Sequence, residues 1–105
     1  MNKCRLPLKV LVLDVLKPHK PSIVEFGAAM CDEKSIESVN ITVYAVDEKT
    51  ESIKMILEGN ALDFDRIEEL IEKTGAVVHS VDKVILGRIS ATDQVALKST
   101  TKFSA

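Results

Sequence analysis

VNITVYAVDEKTESIKMILEG, residues 39–59, reads as two β-strands joined by a charged loop. Val39, Ile41, Val43 and Ala45 alternate with Asn40, Thr42, Tyr44 and Val46. Ile53, Met55 and Leu57 then alternate with Lys54, Ile56 and Glu58. Successive side chains of a strand point to opposite faces, so a period of two buries one sheet face and leaves the other partly wet. Residues 47–51 supply the polar connection, and Gly59–Asn60 stops the second strand.

Upstream, LPLKVLVLDVL, residues 6–16, is the most apolar segment of the chain. Leu8, Val10 and Val12 share one parity, and Leu11, Leu13 and Val15 the other. A strand apolar on both sides is covered on both sides. KPHKP, residues 17–21, is a short rigid loop whose prolines forbid continuation of the strand. Ser22 opens a helix with Glu25 three residues on, the pattern of a reciprocal capping box. Ile23, Phe26, Gly27 and Met30 form its apolar stripe, and the helix should fade near Asp32 or Glu33.

Downstream, Asp63 is placed to cap a second helix, with Asp65 in the first turn where the helix dipole favours negative charge. Phe64, Ile67, Leu70 and Ile71 make its buried face, and Gly75 is placed for a left-handed C-terminal cap. VVHSVDKVIL, residues 77–86, is the fourth strand, ended by Gly87. Residues 88–105 are rich in Ser and Thr without a clear period, which predicts a C-terminal tail or an extra edge strand.

The order β-α-β-β-α-β predicts an α+β protein, a ferredoxin-like sandwich formed by one domain over residues 1–87. Right-handed crossovers give an antiparallel sheet of order 4-1-3-2 with both helices on one face. The helix-free face should carry one apolar parity of the first strand beside Tyr44, Ile56 and Val84. Such a patch is a contact surface, and a second copy of the chain is the expected cover.

Composition narrows the function classes. Aromatic residues are 4% of the 105, with no Trp, and the net charge is −2. Both argue against nucleic acid as a partner, since such surfaces stack bases on aromatics and track phosphates with cations. No apolar run approaches the ~20 residues of a membrane span, and the N-terminus lacks an export pattern. The expected location is cytoplasmic, with no membrane partner. Cys4 and Cys31 have no Cys or His at ligand spacing, so the sequence names neither a metal nor a cofactor.

One grouping follows from topology. The first strand ends, and the fourth begins, at the same edge of the sheet. Asp14, Lys17, His19 and His79 could gather there, with Lys54 near the start of the third strand, as a rim for a small ligand or ion. Against this, polar residues at strand ends are commonly only solvated. His79 and Asp82 lie three apart in a strand, so they should diverge unless the strand bulges. Asp63 and Asp65 lack the spaced oxygens and glycine of a calcium loop, and no phosphate loop, nucleophile elbow or zinc-protease motif occurs.

LDVLKPHKP (residues 13–21), VNITV (39–43), EGNALDFD (58–65) and HSVDKVILG (79–87), in that order, resemble a small archaeal family of uncharacterised proteins, domain-of-unknown-function family 211. The resemblance covers residues 8–87 and leaves the tail outside. It implies a ferredoxin-like, homo-oligomeric, ring-shaped protein of an archaeal cytoplasm, and it carries no catalytic residue. The family pattern favours an acidic residue where this chain has Lys83, so no acidic metal role passes to that strand. The resulting expectation is a non-catalytic homo-oligomer binding a small ligand or ion in a regulatory role. The alternative is an enzyme with a site at a subunit interface, using His79 or His19 as base and Asp14 to orient it.

Overall fold

A computed structural model describes residues 6–88. The elements run β1 (Leu8–Pro18), α1 (Ile23–Ala29) with a 3-10 turn at Met30–Asp32, β2 (Ser38–Val46), β3 (Thr50–Glu58), α2 (Phe64–Lys73) and β4 (Val77–Leu86). The sheet order is β2-β3-β1-β4, every neighbour pair antiparallel. This is the ferredoxin-like α+β sandwich expected from the sequence. The predicted tail or edge strand after residue 88 lies outside the described residues.

Local chemistry sets the helix starts. Ser22 Oγ accepts from the Glu25 amide at 3.2 Å while the Ser22 amide donates to Glu25 Oε1 at 3.1 Å, so each satisfies an otherwise orphaned donor. Phe26 and Met30 are then driven into the core, with Ile23 at its margin. Asp63 Oδ1 accepts from the Arg66 amide at 3.3 Å to start α2, and Ile67 and Ile71 are fully buried. Gly75 takes φ +95° just past α2, where a side chain would be strained.

β1 corrects one expectation. The strand does not stop before Lys17 but pairs through Lys17↔Glu51 and Pro18↔Thr50. A proline is tolerated there because it is the last residue of the strand, where its missing N–H interrupts no further ladder. Lys17 consequently keeps the parity of Leu11, Leu13 and Val15 and points to the helix side, fully buried.

The opposite parity of β1 is also largely buried within one chain. Val10 is 0% and Val12 7% exposed, although neither belongs to the core cluster beneath the helices. Val10 pairs with Glu58 and Ile85, and Val12 with Ile56 and Lys83. The doubly apolar strand therefore does not by itself demand a second copy.

Candidate functional site

Two groups of polar side chains stand out, one on each side of the sheet's central strand. The first lies on the helix-free face. Register aligns Thr42, Lys54, Asp14 and Ser80 in one row across all four strands. Tyr44 Oη donates to the Asp14 carboxylate, 2.7 Å from Oδ1 and 2.6 Å from Oδ2. Lys54 Nζ lies 2.6 Å from Asp82 Oδ2 and 3.7 Å from Asp14 Oδ2. Ser80 Oγ donates to Asp82 Oδ1 at 2.7 Å. The Lys54 ammonium also sits 5.7 Å from the centre of the Tyr44 ring, within cation–π range.

The charges in this row hold one another. The hydrogen bond from Lys54, and then that from Ser80, keeps the Asp82 carboxyl below the usual carboxylate range. Asp82 in turn raises the Lys54 ammonium above its ordinary value. The Asp14 carboxylate accepting its proton pushes the Tyr44 hydroxyl up, so Tyr44 stays a phenol.

The second group ties the loop after β1 to the β2–β3 hairpin. Lys17 Nζ donates to the carbonyls of Pro18, at 2.7 Å, and Pro21. It also lies 3.0 Å from Glu51 Oε1. A buried ammonium needs this full complement of acceptors. His19 Nδ1 is 3.2 Å from Glu51 Oε2, and its Nε2 is 3.0 Å from the carbonyl oxygens of both Asp47 and Glu48. Lys17, then His19, lowers the Glu51 carboxyl, and Glu51 raises the His19 imidazole.

The four residues expected at one rim thus divide. Asp14 belongs to the first group, Lys17 and His19 to the second, and exposed His79 to neither. Residues 14 and 17 are three apart in a strand and so face opposite ways. Tyr44, Glu51 and Asp82 complete the groups. The registers that set Lys54 beside Asp14 and Glu51 opposite Lys17 are made by tertiary strand pairing and leave no local mark in the sequence.

A family model for DUF211, uncharacterized ArCR, matches residues 9–99. The chain belongs to the DUF211 family. The DUF211 match runs past Gly87, so residues 88–99, expected to lie outside the resemblance, are part of the family sequence. The chain is also similar to an uncharacterized protein of Methanocaldococcus jannaschii, 46% identical over 81 residues that cover 77% of this chain and 84% of that one.

Among its described residues, the DUF211 chain has no group of three or more His, Cys, Asp or Glu placed to hold a metal ion. None of its described helices is long and apolar enough to cross a membrane. A wide, shallow groove of about 280 Å³ between α1 and β2 is walled by Ile23, Val24, Gly27, Ala28, Val39 and Ile41, and neither polar group reaches it. Chemically, the row on the open face is a hydrogen-bonding surface. Its phenol is held protonated by Asp14, and its one ammonium lies between two carboxylates.

Proposed function

We propose that the protein is a non-catalytic homo-oligomer that binds a small ligand or ion in a regulatory role. The observation that carries this reading is β4. Among the described residues it is a ten-residue edge strand on which Val77, Val81, Val84 and Leu86 are 45–55% exposed. An edge strand offers unpaired backbone donors and acceptors, and apolar side chains along it make it a template for another chain. At the other end of the sheet, β2 presents Tyr44 and Val46, 55% and 66% exposed. Two different edges on one subunit suit a head-to-tail contact, which closes into a ring when the rotation allows. The ligand part of the reading rests on the row of Tyr44, Asp14, Lys54 and Asp82, which offers both signs of charge on the open sheet. Regulatory ferredoxin-like modules bind small ligands or ions at rims or interfaces, an argument from fold analogy.

Native mass spectrometry of the full chain tests both parts. Particles of more than one copy at micromolar concentration, with a retained small molecule or ion, are the expected result. A bare monomer overturns the reading. Replacing Val81 and Leu86 together by Lys should dissociate the assembly while leaving the far-ultraviolet circular dichroism unchanged.

A further inference from the structure

His19 stands between two sets of acceptors. Glu51 Oε2 faces its Nδ1 at 3.2 Å, and the Asp47 and Glu48 carbonyls face its Nε2 at 3.0 Å. A neutral imidazole has one N–H and one lone pair, so it can donate to only one side. The imidazolium has two N–H groups and satisfies both. The charged groups around the ring are the Glu51 carboxylate from β3 and the Lys17 ammonium from β1, which shares Glu51 through its other oxygen at 3.0 Å. The hairpin contributes main-chain carbonyls.

We propose that His19 is a protonation latch: as imidazolium it holds the loop of residues 19–21 against the tip of the β2–β3 hairpin, and as neutral imidazole it releases one side. The hydrogen bond to Glu51, followed by that to the Glu48 carbonyl, raises the imidazole above its ordinary value, which agrees with the geometry. Because the folded value lies above the unfolded one, the latch contributes in full below the unfolded value. Its contribution is lost as pH rises through the folded value. The segment it frees is the hairpin tip, otherwise closed by the Asp47 amide donating to the Thr50 carbonyl at 2.8 Å. The device lies within one chain, so it stands or falls separately from self-association.

The test is a pH titration of the full chain by long-range proton–nitrogen NMR, with hydrogen exchange at the Asp47 amide followed in parallel. Both ring nitrogens of His19 should carry protons on the acid side, with a midpoint above that of the free peptide KPHKP. Exchange at Asp47, corrected for its intrinsic pH dependence, should quicken as His19 loses its proton. In His19→Gln that inflection should vanish while the chain stays folded, since the side chain is 40% exposed. A midpoint at or below that of the peptide, an absent inflection, or one that persists in His19→Gln overturns the proposal.

Discussion

Lys54 on β3 and Asp82 on β4 form a 2.6 Å ion pair although β1 runs between their strands. The lysine reaches across Asp14, its register partner on β1, and so joins three strands on the helix-free face. Both members are partly exposed, 39% and 33%, so water screens much of the attraction. Lys54→Met should therefore cost less than about 1 kcal/mol in urea unfolding at neutral pH. Its clearer effect is on acidity. Asp82 is held below the usual carboxylate range, so its contribution to stability is present above its unfolded value and lost as pH falls through the folded one. In Lys54→Met the Asp82 midpoint, read from its carboxyl carbon by NMR, should move up toward an ordinary aspartate. An unmoved midpoint would show that Lys54 does not govern it.

The buried ammonium of Lys17 is a different case. It is fully buried, with two backbone carbonyls and Glu51 as close partners. In Lys17→Met those carbonyls lose their donor, and Glu51 Oε1, itself shielded from water, loses its partner. The urea midpoint should fall clearly further than in His19→Gln. Lys17→Met combined with Glu51→Gln should recover part of the loss by removing the stranded charge. The acid limb changes too. Glu51 is lowered first by Lys17, so Lys17→Met should shrink the stability lost as pH falls through the folded Glu51 value.

The fold was legible because local and global signals agree. The two-residue period of β2 and β3, the Ser22–Glu25 box, the Asp63 cap and Gly75 each mark a boundary that the structure keeps. The site was less legible. Lys17 looked like a loop cation because a lysine beside a proline is ordinarily solvated. Its burial depends on the following loop folding its carbonyls back onto Nζ, a tertiary event that no local pattern encodes. Asp14 and Lys17 share a rim only if Lys17 lies in a loop; with β1 running on to Pro18, strand parity sets them on opposite faces. In β4 parity itself is disturbed, since its pairing with β1 shifts register between Val12 and Leu13 and again between Asp14 and Val15. Asp82 reaches Lys54 from beside one of those shifts.

The capping box at α1 gives a simple stability test. Ser22→Ala removes the acceptor for the Glu25 amide and leaves only the Ser22 amide's bond to the Glu25 side chain. The cost should be about 1 kcal/mol, read as a fall in Tm of several degrees for a domain of this size. A change within error would mean that water replaces the cap without loss.

Two glycines make opposite predictions for the same substitution. A Cβ at Gly59 would lie 2.1 Å from the Ser35 carbonyl oxygen and 3.0 Å from Leu62 Cδ2. The segment bearing Ser35 has little room to retreat. The Ser35 amide bonds Glu33 Oε2, Ser35 Oγ accepts from the Asp63 amide, and the Glu37 amide donates to the Glu58 carbonyl at 2.7 Å. Gly59→Ala should thus destabilise by about 3 kcal/mol, the upper range for overpacking. At Gly27 the nearest atom to a Cβ is Ile41 Cδ1 at 3.2 Å, the tip of a side chain able to turn aside. There the gain of replacing a mid-helix glycine, ~0.5–1 kcal/mol, offsets the crowding. Gly27→Ala should leave the urea midpoint unchanged or slightly raised. A matching loss at both positions would show that α1 and β2 are packed too rigidly for Ile41 to move.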